Sequence, residues 1–312
     1  MLNTVFAGHH IEAKVGRGGM GVVYRARHCR LDRVVALKVI APELLDDALV
    51  QRRFLEEALV AASVEHPNVV PVHDAGEADG IAYMVMQYVH GLDLRALACG
   101  PHPLAPRRAA EIVAGVADAL DAMHGAGYVH RDVKPGNVLI ARDGHVYLSD
   151  FGLAREIAAR AGATRTGHWA GTVDYAAPEQ IRGRRTDVRT DVYGLGCLLF
   201  FALIGRPPYT AETVEAKLWA HLTEAPPAAS LLRAGLPAAM DAVVARALAK
   251  EPADRFATAG ALGRAALQAA AGAPAAAPEA AVARRRTAAA PADALTVSCA
   301  RPFPVRGPVA VT

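Results

Sequence analysis

The chain has 312 residues, 53% of them hydrophobic, which is enough to build the cores of two lobes or two domains. A formal net charge of +3 gives no basic excess pointing to nucleic acid. The four cysteines form no Cys-x-x-Cys pair, which argues against a disulfide framework or a zinc site and suits a reducing cytosol. The N-terminal stretch lacks the features of a signal peptide, and the longest apolar run, "GLGCLLFFALIG", is too short to span a bilayer. We therefore expect a cytoplasmic protein with no integral membrane span and no nucleic-acid partner.

The first part of the chain is predicted to be rich in β-structure. Residues 9–40 alternate apolar and polar side chains with glycines between them, which predicts a twisted antiparallel sheet with a glycine-rich first turn. Residues 46–64 change to a helical period, with Phe54, Ala58 and Ala61 on one face, before "HPN" ends the helix. Two more strands are predicted in "VVPVHDAGEA" and "IAYMVMQYV". Residues 1–88 are therefore expected to form a small β-rich lobe with one main helix.

The rest of the chain is predicted to be mainly helical, and its last part differs in composition. Helices are expected over 106–125, 187–204, 214–220, 237–250 and 257–271, which gives a larger lobe over 89–272. From 273 to 312 the sequence is rich in alanine and proline, a composition that predicts a disordered tail. We interpret its "ARRRT" run as solvated. The alternatives are a peripheral membrane contact or the juxtamembrane patch of a shortened receptor.

A glycine-rich stretch, "VGRGGMGVVY", gives the first indication of function. Gly16, Gly18 and Gly21 have G-x-G-x-x-G spacing, which lets backbone N–H groups approach phosphate oxygens. This spacing alone is weak, because dinucleotide-binding folds and plain hairpins share it. Here the stretch continues into a strand, "VVYRAR", and the position about 20 residues on is Lys38 rather than an acid. The dinucleotide interpretation is therefore rejected.

Lys38 lies in "VVALKVI", a β-branched strand in which a charge needs a reason. One interpretation is an edge-strand lysine reaching solvent. The other is an ammonium group that reaches phosphates beneath the glycine-rich stretch. Such a lysine needs an anionic partner, and the following helix offers Glu56 and Glu57. Helical phase turns Glu57 toward the lobe interior, close to Ala61, so we predict Glu57 as the partner.

The stretch "YVHRDVKPGNVLI", residues 128–140, concentrates polar groups between apolar ends that predict two short buried strands. Burying so many polar side chains is costly unless each has a partner. Asn137 and Asp150, at neighbouring strand ends, would form an oxygen-ligand set suited to Mg²⁺. Asp132 could then receive a hydroxyl proton, and Lys134 could neutralise a transferring phosphoryl group. Any one of these could be a satisfied turn residue, but the ordered set of four favours a site.

Together, "GRGGMGVV", "VALK", "HRDVKPGN", "DFG" and "APE" match the protein-kinase signature in order and spacing. Over about residues 9–270 the chain resembles bacterial Hanks-type (eukaryotic-like) serine/threonine protein kinases of actinobacterial type. The resemblance implies an α+β bilobal fold and transfer of the ATP γ-phosphoryl group to Ser or Thr hydroxyls of proteins. It implies ATP and Mg²⁺, with Mn²⁺ as the alternative metal. The expected partners are protein substrates and the chain itself, through autophosphorylation in a transient dimer.

The resemblance also implies roles for individual residues. The glycine-rich loop of Gly16, Arg17, Gly18, Gly19 and Gly21 would cover the phosphates, and Lys38, anchored by Glu57, would hold them. Asp132 would be the catalytic base, Lys134 would contact the γ-phosphate, and Asn137 and Asp150 would bind the metal. The adenine site would comprise Val23, Ala36, Met86 as gatekeeper, backbone groups of Gln87 and Val89, and Leu139.

Further roles are structural or regulatory. Glu179 of "APE" and Arg255 would form a buried ion pair, and Asp191 would hold the catalytic loop from below. Thr164 and Thr166 would be autophosphorylated, and Arg131 would pair with the phosphate. Their alternative is two unmodified loop threonines. Thr172 resembles the threonine that bonds the catalytic Asp and Lys in serine/threonine kinases.

Two rival functions are weighed against this one. A small-molecule kinase of the same fold lacks the long activation segment with "APE", which this chain has. A pseudokinase acting as a signalling scaffold usually lacks the strand lysine, the catalytic Asp or the DFG Asp, and all three are present here. The sequence therefore favours an active protein kinase.

Overall fold

The computed structural model describes residues 1–18, 21–45, 48–99, 103–150 and 173–272. Several residues predicted to act in the site lie outside these ranges: Gly19, Thr164, Thr166 and Thr172. The predicted tail, residues 273–312, also lies outside them.

The N-terminal part forms a six-stranded antiparallel sheet with strand order β1-β2-β3-β4-β6-β5. The strands are β1 Val5–Phe6, β2 His9–Arg17, β3 Gly21–His28, β4 Val34–Ile40, β5 Val72–Ala78 and β6 Ile81–Gln87. A Cβ at Gly21 would lie 2.6 Å from the backbone oxygen of Val39. Only glycine therefore lets β3 begin so close to β4.

Helix α1, Ala48–Ser63, packs on this sheet through an apolar stripe. Phe54, Ala58 and Ala61 are 4% exposed or less, as helical spacing predicts for one buried face. Phe54 and Ala58 join Ile40 of β4 in one apolar cluster, and full burial of a side chain such as Phe54 contributes about 1.5–3 kcal/mol. The opposite face of the sheet buries a second cluster around Leu37. The sheet therefore has apolar cover on both faces.

The remaining described residues are mainly helical and contain the largest apolar core. The helices are α2 Leu94–Ala98, α3 Pro106–Gly125, α4 Pro178–Ile181, α5 Val188–Ile204, α6 Val214–Thr223, α7 Ala229–Leu232, α8 Ala238–Ala247 and α9 Ala259–Ala271. A three-stranded antiparallel sheet comprises β7 Gly91–Asp93, β8 Val138–Ala141 and β9 Val146–Leu148. None of the helices in the described ranges combines the length and apolar character needed to cross a membrane.

Helix α5 is the centre of this helical region. It is buried over most of its length and contacts α3, α8 and α9. Asp187 caps its N-terminus, with Thr190 completing a capping box, and the helix ends at Gly205, whose φ of 83° is left-handed. Such a fixed, buried helix can hold polar residues in place for a site at its N-terminal end.

The two-lobed α+β class predicted from the sequence agrees with this architecture. One strand prediction was wrong. Tyr128 and Val129 form no strand, and only the other apolar end of that stretch does, as β8. Helix α6 extends to Thr223, beyond the predicted end, because Ala220 and His221 are both buried. Five short elements, β1, β7, α2, α4 and α7, were missed because they hold too few residues to show a period.

Candidate active site

Lys38, on β4 of the larger sheet, contacts two carboxylates, one from α1 and one from the segment after β9. Its Nζ lies 2.9 Å from Glu57 Oε1 of α1 and 2.9 Å from Asp150 Oδ1, which follows β9. The side chains of Lys38 and Glu57 are 9% and 5% exposed, whereas that of Asp150 is 38% exposed. The ring of Phe54 lies 5.7 Å from Nζ. The cluster is therefore buried on its Glu57 side and open on its Asp150 side.

Glu56, the other candidate anchor, has a different environment. Its side chain is 57% exposed and lies 3.5 Å from Arg52. One residue along a helix turns the side chain by about 100°, which carries Glu56 off the buried face.

Backbone hydrogen bonds hold Asp150 beneath the larger sheet. The amide of Val70 donates to the carbonyl of Leu148 at 3.0 Å, and the amide of Leu148 donates to the carbonyl of Asn68 at 2.7 Å. The segment before β5 is thereby joined to β9. Asp150 itself has a φ of 57°, in the left-handed region where non-glycine residues are uncommon. Strain of this kind is typical of functional sites.

This cluster has one ammonium group and two carboxylates, and the pKa values of all three groups depart from their ordinary values. Burial by itself would lower the pKa of Lys38, but Asp150 and Glu57 outweigh burial and raise it. Burial would raise the pKa of Asp150, but Lys38 lowers it below its ordinary value. Burial raises the pKa of Glu57, and Lys38 offsets only part of that rise. One ammonium group shared by two carboxylates leaves an excess of negative charge.

A second cluster forms around Asp132, which is 9% exposed. Asp132 Oδ2 accepts hydrogen bonds from Lys134 Nζ and, at 3.2 Å, from Asn137 Nδ2. The same Asn137 nitrogen lies 2.9 Å from the backbone oxygen of Asp132 and 3.4 Å from that of Asp150. Asn137 thus links the two clusters, and its carboxamide oxygen is the atom that can ligate a cation.

Asp191, buried in α5, supports the loop that carries Asp132. Its carboxylate accepts from the amides of His130 at 2.8 Å and Arg131 at 2.7 Å, and it lies 2.7 Å from His124 Nε2. Arg131 has a left-handed φ of 64°. The carboxylate of Asp191, on α5, therefore stabilises a backbone conformation of Arg131 that is unfavourable by itself.

His130 is fully buried, and its ring contacts backbone groups of this loop and of Ser149. Its Nδ1 accepts from the amide of Asp132 at 3.2 Å, and its Nε2 lies 3.3 Å from the carbonyl of Ser149. This pattern fits a neutral ring with the proton on Nε2. Burial lowers the pKa of His130, against the opposing effect of Asp191, which agrees with a structural role.

Glu179 and Arg255 form a bidentate pair, with both oxygen–nitrogen distances 2.8 Å. Arg255 also donates to the carbonyls of Ala249, Arg189 and Lys250, so all five of its N–H groups are used. Burial would raise the pKa of Glu179, but Arg255 lowers it below its ordinary value. This ion pair is therefore buried, and its one positive charge is balanced by one negative charge.

The described residues that are predicted to bind the nucleotide lie on β2, β3, β4, β6 and β8 or directly beside these strands. No described atom lies within 4 Å of a Cβ built at Gly16, so within the described protein nothing there requires glycine. Arg17 pairs at the surface with Glu43 at 2.7 Å. Val23 lies opposite Lys38 in the β3–β4 register. Among the described residues, the space beside Gly16 is therefore open.

Most of the residues predicted to enclose the adenine lie in or against one apolar cluster, whereas Val23 is outside it. Met86 belongs to the buried cluster between the larger sheet and α1, and the partly buried Ala36, Val89 and Leu139 pack against it. The amide of Gln87 donates to the carbonyl of Pro71 at 2.9 Å. Its carbonyl is therefore the Gln87 backbone group that can pair with an adenine edge.

The donor set fits a magnesium–nucleotide complex. Asp150 offers a carboxylate and Asn137 a carboxamide oxygen, the few hard oxygen ligands that Mg²⁺ takes from a protein. Within the described ranges, no group of three or more His, Cys, Asp or Glu residues could hold a metal ion.

Sequence reasoning missed several partners of these residues: Phe54 beside Lys38, His124 on Asp191, Thr190 on Glu179, and Gln180 and Thr186 on Arg131. Except for Thr190, which precedes Asp191 in "TDVYGLG", none of them belongs to a motif used in the sequence analysis. The helical phase of α3 would have indicated His124 as a polar residue near a buried face, but its partner is 67 residues away.

Comparison with known proteins gives one consistent result. A profile of the protein kinase domain matches residues 9–264. Serine/threonine-protein kinase PknD of Mycobacterium tuberculosis is 44% identical over 266 residues, which are 85% of this chain and 40% of PknD. PknE of the same species is 43% identical over 263 residues, 84% of this chain and 46% of PknE. The chain thus spans less than half the length of these curated relatives.

Solved structures agree with the sequence comparison. The crystal structure of the M. tuberculosis PknI kinase domain superposes with a TM-score of 0.70 at 33% identity, covering 87% of this chain and 99% of that domain. The kinase family and the two-lobed fold predicted from the motifs are both confirmed by these matches. The chain belongs to the protein kinase family.

Proposed function

We propose that this chain transfers the γ-phosphoryl group of ATP to Ser and Thr hydroxyls of proteins. The observation that carries the proposal is the position of Asn137, whose amide nitrogen contacts both Asp132 and the backbone of Asp150. Through it, the proposed base and the cluster of Lys38, Glu57 and Asp150 share one site. The relatives named as serine/threonine-protein kinases support the same activity.

In this proposal the triphosphate lies between the glycine-rich loop and Lys38. The ammonium group of Lys38, kept charged by Glu57 and Asp150, neutralises phosphate oxygens. Mg²⁺, with Mn²⁺ as the alternative, supplies further charge neutralisation when bound through Asn137 and Asp150. The loop glycines allow close approach of the backbone to phosphate oxygens.

Asp132 receives the proton of the attacking hydroxyl, and Lys134 stabilises the negative charge on the transferring group. The hydrogen bond between Lys134 and Asp132 keeps the two side chains on the same side of the loop. The chemistry depends mostly on positioning, which can supply about 7–11 kcal/mol of the barrier. This explains why so many backbone contacts fix this loop.

Regulation is part of the proposal. Autophosphorylation on Thr164 or Thr166 within a transient dimer would place a phosphate near Arg131, and Thr172 would contact Asp132 and Lys134. All three threonines lie outside the described residues. We also place the reaction in the cytoplasm, where ATP and protein substrates meet. A scaffold function without catalysis is less well supported, since Lys38, Asp132, Asn137 and Asp150 are all present.

The test combines an activity assay with a binding assay on the full chain. Purified protein with Mg-ATP should phosphorylate itself, and phosphopeptide mapping should find Thr164 or Thr166. Asp132→Asn should lower transfer about 10²–10⁴-fold, the usual contribution of a general base, while ATP affinity changes little. Phosphate found only on tail residues would reject the regulatory sites, and loss of ATP binding in Asp132→Asn would reject the role of Asp132.

A further inference from the structure

Arg131, next to the proposed base, has its main chain fixed from two directions. Its amide donates to Asp191 Oδ1 at 2.7 Å, and its carbonyl accepts from Gln180 Nε2 at 3.0 Å. These bonds hold its left-handed backbone. They do not, however, set the direction of its side chain.

A different residue contacts that side chain. Arg131 Nε donates to the hydroxyl oxygen of Thr186 at 3.0 Å. Thr186 is partly buried and immediately precedes Asp187, the capping residue of α5. Since the capping box fixes this end of a buried helix, the Thr186 hydroxyl is presented from a rigid support.

The atom contacted in Arg131 matters. A guanidinium group is planar and carries five N–H donors, one on Nε and four on the two Nη atoms. A bond at Nε fixes the plane and therefore the direction of the Nη fork, which binds phosphate or carboxylate oxygens in pairs. Thr186 can thus orient the fork without occupying it.

We infer that Thr186 is a positioning residue for the phosphoryl transfer, because its hydroxyl holds the Arg131 guanidinium beside the loop that carries Asp132. The inference rests on the proposed function and adds a residue that no kinase motif in this sequence includes.

The first test compares Thr186→Val, Thr186→Ser and wild type, using the full chain, Mg-ATP and casein as a generic acceptor. Thr186→Val removes the hydroxyl with little change in volume. It should lower kcat about tenfold, the scale of one hydrogen bond to a charged group, and leave KM for ATP unchanged. Thr186→Ser keeps the hydroxyl and should restore most of the rate.

Thr258→Val serves as a matched control. Thr258 caps α9 by accepting from the amide of Ala261 at 3.1 Å, so its replacement also removes one threonine hydrogen bond. It should lower the melting temperature while leaving kcat unchanged. A loss of kcat in Thr186→Val but not in Thr258→Val therefore excludes a general loss of stability as the cause.

A double-mutant cycle then tests whether Thr186 acts through Arg131. Arg131→Lys keeps the charge and lacks Nε, so it should reproduce the loss seen in Thr186→Val and make that substitution silent in combination. Wild-type kcat in Thr186→Val, or losses that add in full, would overturn the inference. Absence of transfer by the wild-type chain would instead reject the proposed function.

Discussion

Two buried ion pairs in this molecule use similar residues and differ in charge balance. Arg255 and Glu179 form a one-to-one pair in which every donor of the arginine has an acceptor. Lys38 instead faces two carboxylates, one of which, Asp150, is 38% exposed. The Arg255–Glu179 pair therefore requires no further ion or ligand to balance its charge. The second has an excess of negative charge beside an open side, which suits a cation and the phosphates that accompany it.

The two sites bury charge in different ways. Both pairs pay the desolvation cost of taking ions from water. In the Arg255 pair the pKa of Glu179 falls below its ordinary value, because two bonds to one cation outweigh burial. In the Lys38 cluster the pKa of Glu57 rises, because burial exceeds its share of one lysine. The pKa values of the two buried glutamates therefore shift in opposite directions because the two sites differ in charge balance.

Among substitutions in the two ion pairs, Lys38→Met should have the largest effect on catalysis. Loss of the ammonium group should lower kcat/KM about 10²–10³-fold, the range for one electrostatic contact in an active site. The free energy of unfolding should change less, because Glu57 can take up a proton once its partner is lost. Transfer to casein and urea unfolding measure the two quantities. Near-normal transfer by Lys38→Met would contradict the functional assignment of this cluster.

Arg255→Met should have the opposite profile. It leaves Glu179 buried without its cation, which costs about 3–5 kcal/mol of unfolding free energy. Since Arg255 contacts no proposed substrate group, the folded fraction should retain kcat within severalfold of wild type. Urea unfolding and assays normalised to folded protein test this. A stable but inactive Arg255→Met variant would mean that the two sites are not separate in function.

A smaller effect is expected for Glu57→Gln. The glutamine can still accept a bond from Lys38 but no longer carries charge, so kcat/KM should fall about 10–100-fold, as for other groups that orient a catalytic residue. Glu56→Gln is the control, because its exposed pair with Arg52 contributes at most about 0.5 kcal/mol. Equal losses in the two variants would show that the choice between these glutamates carries no functional meaning.

The smallest effect is in the acid dependence of stability. The pKa of Glu179 is below its ordinary value of 4.5 in the folded chain, so its contribution is complete above about pH 4.5 and is lost as pH falls through the folded pKa. Glu179→Gln should therefore flatten the fall in unfolding free energy below pH 4.5.

Glu57 should behave with the opposite sign. Its folded pKa lies above 4.5, so the folded chain takes up the proton first and gains relative stability as pH falls through that range. Glu57→Gln should remove this gain and make the acid-side loss steeper. Urea unfolding at several pH values measures both slopes. The same change of slope in the two variants would contradict the contrast between the sites.

Much of the chemistry could be predicted from short stretches of sequence, because each motif combines unusual residue types at fixed spacing. Lys38 in a β-branched strand and the ordered set from Asp132 to Asp150 are examples. The helical phase that favours Glu57 over Glu56 is also local information. In contrast, the strand predicted at Tyr128 and Val129 was wrong. The amide of Tyr128 donates to the carbonyl of Met123 in the turn after α3, and the amides of His130 and Arg131 donate to Asp191 rather than to a neighbouring strand.

The sequence by itself determined the family, the two-lobed class and the residue types available for phosphate chemistry, because those depend on local pattern and spacing. Only the tertiary structure showed that Asp150 is a second partner of Lys38 and that Thr186 is a partner of the Arg131 side chain. The 2.9 Å contact between Lys38 and Asp150 spans 112 residues, and the contact between Arg131 and Thr186 spans 55. Contacts between residues so far apart in the sequence depend on how the helices and sheets pack against one another. The periodicity of the sequence does not predict them.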